Sequence, residues 1–138
     1  EPAHVAHGVE RASQIHRVLE AELPRIERVG FRVARASSVA EPFARALLDA
    51  ILELKEELLR HTAVAEATVH PRAGTADATI LVDEQALDEP RIRSLVMRAR
   101  SVAASTTSPS ARVLHHRLGE LDRDVEALFV VERSLGAN

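Results

Sequence analysis

Three of the seven histidines lie in one short segment, "HVAHGVERASQIH", where they could bind a divalent metal ion. His4 and His7 are three residues apart, so on a helix their rings are close enough to share one ion. Imidazole is a good ligand for zinc and other transition metals. We predict His4 and His7 as metal ligands, with Zn²⁺ or another divalent cation as the ion. The alternative, two polar residues on an exposed helix face, stays open because two ligands do not complete a site.

The other candidate ligands fit structural roles better. His16 falls on the apolar stripe of the same segment, which indicates a hydrogen-bonded core histidine. His116 and Glu120 have the spacing to chelate an ion, but a solvated helix face is the simpler interpretation. His70 precedes Pro71 at a predicted strand end and is most simply a turn residue.

The sequence offers little for catalysis. Its serines cluster in low-complexity segments without nucleophile-elbow glycines, and it has no Gly-rich phosphate-binding loop. Asp83 and Glu84 end a predicted strand, where catalytic carboxylates can lie, but such residues also commonly cap turns. With no cysteine, the chain lacks disulfides, thiolate metal sites and cysteine nucleophiles, which fits a reducing compartment. We predict a non-enzymatic, cytoplasmic protein.

Composition and charge narrow the class of protein further. The 138 residues are 46% hydrophobic but only 2% aromatic, so Leu, Val, Ile and Ala must fill the core. Lys and Arg number 18 against 21 Asp and Glu, and this net charge of −3 argues against a general nucleic-acid binder. No apolar run is long enough to span a membrane, and no signal peptide is recognisable. Because the first residue is Glu1 rather than Met, we expect that any membrane region lies outside this chain.

Hydrophobic periodicity predicts the elements of the first half of the chain. A helix over residues 3–23 is ended or bent by Pro24. Residues 29–34 then alternate apolar and small or polar side chains, which predicts a strand. A long second helix follows Pro42, and its apolar stripe runs from Phe43 to Leu58.

The second half predicts a hairpin and two helices. Residues 64–71 and 76–83 form the two strands, joined at Gly74. Asp88 caps the next helix, which has an arginine-rich exposed side. Residues 101–110 form a loop or linker, and a C-terminal helix with a seam for another helix covers residues 110–135.

These elements predict an α+β fold. A small three-stranded sheet carries helices on one face, and a long C-terminal helix follows it. Residues 1–104 would form the α+β unit, and residues 105–138 the linker and C-terminal helix. The open sheet edge and the apolar helix seam favour a symmetric homodimer, which would bury both.

Two segments resemble the cytoplasmic domain of cation diffusion facilitator metal transporters. "PAHVAHGVERASQIHRVLEAELPRIERVGFRV", residues 2–33, looks like the last helix and strand of that domain. "ELKEELLRHTAVAEATVHPRAGTADATILVD", residues 53–83, is similar to its opening helix and two strands. The resemblance covers about half of the chain and implies a ferredoxin-like dimerisation domain that binds divalent metal and regulates transport.

The chain departs from that family in three places. Residues 31–34 hold no metal ligand where the family often has a histidine and an acidic residue. The family's frequent strand histidine would fall near Thr68, whereas His70 lies two positions later. Because of these two differences, a complete metal site is not visible. Residues 110–135 have no counterpart in the family's domain.

These observations predict a regulatory and dimerisation domain of a divalent-cation transporter, with metal at His4 and His7. One alternative is a metal-free protein–protein interaction module that docks a partner along its helix seams. Another is a small dimeric nucleoid-associated DNA-binding protein, in which the arginine-rich helix tracks phosphates. The overall acidic charge makes nucleic-acid binding the weakest of the three. The phosphate-tracking side chains would be Arg91, Arg93, Arg98 and Arg100.

Overall fold

Four α-helices contain most of the residues that the computed structural model describes, which are residues 2–36, 39–68 and 88–136. The helices are α1 (Pro2–Ala34), α2 (Glu41–Thr68), α3 (Glu89–Ala104) and α4 (Pro109–Gly136). The described residues contain no strand, so the predicted α+β fold with a ferredoxin-like three-stranded sheet is wrong. The described residues instead form an all-helical bundle.

The four helices pack around one hydrophobic core. α1 lies against α2 and α4, and α3 lies against the same two helices, so each helix has two neighbours. Glu27 pairs with Lys55 and Gly30 meets Ile51, so α1 runs antiparallel to α2. Gly8 meets Leu135 and Glu22 pairs with Arg117, so α1 is also antiparallel to α4. The bulkiest fully buried core residues come from all four helices: Leu19, Ile26, Leu47, Leu54, Leu58, Ile92, Leu114, Leu118, Leu121, Leu128 and Phe129.

α1 continues through the segment that was predicted to leave the helix. Pro24 lies inside α1 and removes one backbone N–H donor from the helix. Its ring is exposed, so it does not disturb the packing of the core. Ile26, Gly30 and Val33 are buried at helical spacing, and this stripe overrides the apparent alternation of residues 29–34. Gly30 admits Ile51 of α2, since a Cβ at position 30 would clash with the Ile51 Cδ1 atom.

α2 also extends into a predicted strand. Residues 64–68 are helical, and Ala65 is buried, so the first part of the predicted hairpin is wrong. The remainder of the hairpin, with its predicted turn at Gly74, lies outside the described residues, as do His70, Asp83 and Glu84.

The two later helices were predicted correctly. α3 follows Asp88 and has Pro90 in its first turn, and its predicted apolar side is largely buried. α4 covers the predicted C-terminal helix, and the Ser108 hydroxyl accepts a hydrogen bond from the Ala111 backbone N–H at 3.2 Å. The predicted loop is shorter than expected because α3 continues to Ala104. None of the described helices combines the length and apolar character needed to cross a bilayer.

Candidate functional site

A fully buried histidine on α2 is the centre of the candidate site. His61 follows Leu54 and Leu58 on the inward face of α2, so the helix directs its ring into the bundle. The exposed fraction of His61 is 0%. A polar ring in this position needs internal hydrogen-bond partners, because its burial without them costs free energy.

Two carboxylates from outside α2 hold the ring at both nitrogens. His61 Nδ1 donates to Asp88 Oδ2 at 3.0 Å, and Nε2 donates to both carboxylate oxygens of Glu132 at 2.9 Å. Asp88 immediately precedes α3, whereas Glu132 lies near the end of α4 and is 5% exposed. Only the imidazolium has two N–H donors, so this geometry fits the protonated form of His61.

The pKa of His61 reflects two opposing effects. Burial lowers the pKa, because it penalises the charged ring, whereas hydrogen bonds and attraction from Glu132 and then Asp88 raise it. The carboxylates prevail, and the pKa of His61 lies above its ordinary value of 6.5. A proton therefore remains on His61 at a pH where an exposed histidine has lost it.

An aromatic ring covers one side of the imidazolium. Phe129 packs edge-on against His61, with ring centroids 5.9 Å apart and planes 85° from parallel. The guanidinium of Arg93 lies 5.5 Å from the Phe129 centroid. Phe129 is itself fully buried, so it excludes water from one side of the site.

Two groups of ion pairs lie around His61, one that contains the ring and one centred on Arg133, and together we call them the α2–α3–α4 charge cluster. Its five carboxylates face four guanidiniums, so the charges balance when His61 is protonated. Loss of that proton leaves one negative charge in excess. The cluster consists of Glu57, Arg60, His61, Asp88, Glu89, Arg91, Arg93, Glu126, Glu132 and Arg133.

Glu89 adds a second buried carboxylate to this cluster. It is 7% exposed, and its Oε1 atom accepts a hydrogen bond from Arg133 Nη1 at 2.8 Å. Burial raises the pKa of Glu89, and repulsion from Glu132 raises it further against the opposing effect of Arg133. Excess negative charge is therefore costly at this end of the bundle.

This arrangement suits proton storage better than catalysis. Both ring nitrogens of His61 are engaged, and the ring has no exposed surface, so it cannot act as a base on an external substrate in this conformation. Instead, one proton links α2, the start of α3 and the end of α4.

The structure places the predicted histidines in different environments. His4 lies in the first turn of α1, and His7 is exposed on the same helix, so their joint metal site stays a prediction. His16 is 2% exposed, which confirms its predicted place in the core. His116 and Glu120 form a surface pair, with 3.7 Å between His116 Nε2 and Glu120 Oε1.

The sequence analysis did not single out His61 or Glu132. The available signal was a polar residue interrupting an apolar stripe, the same signal that identified His16. His61 follows Leu58 by three residues, and Glu132 follows Leu128 by four, so each continues a buried helix face.

The four arginines proposed to track DNA phosphates all bind carboxylates. Arg91 pairs with Glu57, Arg93 with Glu126, Arg98 with Glu53 and Arg100 with Asp122. In the Arg98–Glu53 pair, 2.8 Å separates the arginine Nη1 atom from the glutamate Oε1 atom. These side chains already have partners, so a phosphate would have to displace a carboxylate.

Among the described residues, no three His, Asp or Glu side chains are arranged to hold a metal ion. Comparisons with protein-family models, curated proteins and solved structures find no match for this chain. The functional argument therefore depends on the geometry of the bundle itself.

Proposed function

We propose that this chain is a non-catalytic interaction module whose α2–α3–α4 end is closed by a proton on His61 and loosened when that proton leaves. The observation that carries the proposal is the double hydrogen bonding of a fully buried ring by Asp88 and Glu132. This is the metal-free interaction protein of the sequence analysis, with a proton-controlled end added to it.

Deprotonation removes one donor from a ring that is fully buried. A neutral imidazole can donate to either Asp88 or Glu132, and the other carboxylate then faces a nitrogen lone pair. Asp88 then keeps its contact with Arg60, whereas Glu132 is buried and has no other ion pair among the described residues, so the loss of its donor leaves the desolvation of its charge uncompensated. The free-energy cost falls on the contacts that join α3 and α4 to α2.

The charges around His61 also favour loosening of this end when the proton leaves. Arg60 contacts Asp88, and Glu57 contacts both Arg60 and Arg91, so no spare cation is available on α2. On the α3 and α4 side, Arg93 and Arg133 already serve Glu126 and Glu89. On α1, the buried titratable residue is His16. Release of the proton is thus not offset by a neighbouring cation of the cluster.

Loosening this end would expose apolar surface to a partner. Phe129 and Leu58 lie beside His61 in the core, and both are fully buried while the cluster is intact. The proposal places the chain in a cytoplasmic compartment, which the cysteine-free sequence favours. A link to cation transport, with metal at His4 and His7, stays a separate prediction. The ferredoxin-like sheet that the same family resemblance implied is not the fold of the described residues.

Hydrogen exchange at two pH values tests the proposal. Backbone amides in the first turns of α3 and the last turns of α4 should lose protection between pH 6.5 and a pH at which His61 has lost its proton, after correction for intrinsic exchange. A His61→Gln variant should show low protection at both pH values. A His116→Gln variant is the matched control, because His116 is exposed, and it should behave like the parent protein.

Equal protection of these amides at both pH values in the parent protein would contradict the proposal. So would a loss of protection spread evenly over all four helices, since that result would indicate a general loss of stability.

A further inference from the structure

Four arginines form one row along the C-terminal half of α1, three within the helix and one directly after its last residue. Arg25, Arg28, Arg32 and Arg35 follow each other at three- and four-residue intervals, so they share one helix face over about 15 Å. All four are exposed, whereas Ile26 and other core residues occupy the opposite face. We call this row the α1 arginine stripe.

No carboxylate among the described residues pairs with the stripe. The two glutamates of the same region of α1 are engaged elsewhere: Glu22 with Arg117 of α4 at 3.3 Å, and Glu27 with Lys55 of α2 at 2.9 Å. Both acidic side chains are therefore used to join helices. The stripe keeps its positive charge on a protein whose net charge is −3.

A surface groove adjoins the stripe. It has a volume of about 480 Å³ and is lined by Arg28, Phe31, Arg32, Arg35 and Ala36. The Arg35 guanidinium lies over the Phe31 ring, 5.6 Å from its centroid. The groove thus combines cationic groups with a small apolar surface.

We propose that the α1 arginine stripe and its groove bind an acidic segment of a partner protein. Arginine presents a planar set of N–H donors that matches a carboxylate, and an exposed row with no carboxylate partner among the described residues has those donors available. The same chemistry already joins helices in this molecule, where α3 docks on α2 through Arg91–Glu57 and Arg98–Glu53. An incoming helix with glutamates at matching intervals would repeat that arrangement on α1.

The surroundings favour an acidic protein segment over a nucleic acid or a membrane. The acidic character of the chain as a whole repels a long polyanion beyond the short stripe. Arg35 covers the Phe31 ring, so its face is not free for a base to stack on. Phe31 is partly buried, which leaves little apolar side chain to insert into a bilayer.

Binding of a synthetic peptide tests this proposal. The probe is a fluorescent helical peptide with four glutamates at three- and four-residue intervals and one leucine, and a glutamine version serves as its uncharged match. The parent protein should bind the glutamate peptide, and binding should weaken as salt rises. A variant with Arg25→Gln, Arg28→Gln and Arg32→Gln should lose about tenfold in affinity, or about 1.4 kcal/mol.

A second variant controls for net charge. Arg11→Gln, Arg112→Gln and Arg123→Gln remove three exposed arginines outside the stripe, of which Arg11 lies about 21 Å from Arg25 along α1, and affinity should change less than about twofold. Equal losses in the two variants would overturn the proposal, as would failure of the parent protein to bind the peptide. Tighter binding to a short DNA duplex or to phosphatidylserine vesicles than to the peptide would also overturn it. Thermal melting of both variants checks that the bundle remains folded.

Discussion

The two ends of the bundle treat their charges differently. At the end where Gly8 meets Leu135, His61 and its neighbours form a set in which every charge faces an opposite charge. At the end where Gly30 meets Ile51, the exposed arginines of α1 face no described carboxylate. Charges that are buried and paired affect stability and its pH dependence. Charges that are exposed and unpaired affect association and its salt dependence.

The largest predicted effect comes from removing the buried ring. His61→Ala removes the donor of the buried Glu132, leaves Asp88 with Arg60 alone and creates a cavity beside Phe129. We expect the free energy of unfolding to fall by about 3–5 kcal/mol, measured by urea denaturation at pH 6. His116→Ala, on an exposed face, should cost less than about 0.5 kcal/mol. A cost of that small size at position 61 would show that the buried end does not depend on the ring.

Packing at the opposite end gives the next effect. Gly30→Ala should destabilise the protein by about 1–3 kcal/mol in thermal unfolding, because the new methyl group meets Ile51. Gly119→Ala should instead stabilise it by up to about 1 kcal/mol, since an added Cβ makes only ordinary contact with Arg100 and the helix gains propensity. Shortening the facing side chain with Ile51→Val should rescue Gly30→Ala. If it does not rescue the variant, α1 is not held against α2 as described.

The pH dependence of stability separates the two ends more directly. The pKa of His61 is higher in the folded protein than its ordinary value of 6.5, so its stabilising effect is complete below that value. The effect is lost as pH rises through the higher, folded-state pKa. Urea denaturation should therefore give a lower free energy of unfolding at pH 9 than at pH 6. In His61→Gln this decrease should be absent, and persistence of the full decrease would assign it to another group.

The smallest effect is expected in the stripe. Arg25→Gln, Arg28→Gln and Arg32→Gln should together change the free energy of unfolding by less than about 0.5 kcal/mol, because no described ion pair is lost. Arg98→Gln, which breaks the pair with Glu53, should cost about 0.2–1 kcal/mol. A larger loss in the stripe variant than in Arg98→Gln would mean that the stripe has an internal structural role.

The helices that could be predicted from sequence had clear starts and long, regular stripes. Asp88 and Pro90 mark the beginning of α3, and the spacing from Leu114 to Leu128 identifies α4. The strand predicted at residues 29–34 was wrong because a short apolar run fits both the two-residue period of a strand and the 3.6-residue period of a helix. The buried residue Ile26 distinguishes the two, because it belongs to a helical stripe that continues past Pro24 to Val33.

The candidate site was harder to predict because its parts are distant in sequence. His61 and Glu132 are 71 positions apart, and they meet through the packing of α2 and α4. Asp88 has the residue type and position of a helix cap, but its side chain makes no cap hydrogen bond and contacts His61 and Arg60 instead. Only the arrangement of the helices distinguishes these two uses of an aspartate.

The central claim is that His61 carries a proton held by two carboxylates, and NMR of its ring nitrogens measures this most directly. In protein labelled with ¹⁵N-histidine, both ring nitrogens of His61 should remain protonated above pH 6.5, the ordinary pKa of a histidine side chain. His61→Gln assigns the signals. A His61 ring that loses its proton together with the exposed histidines, or before them, would contradict the account.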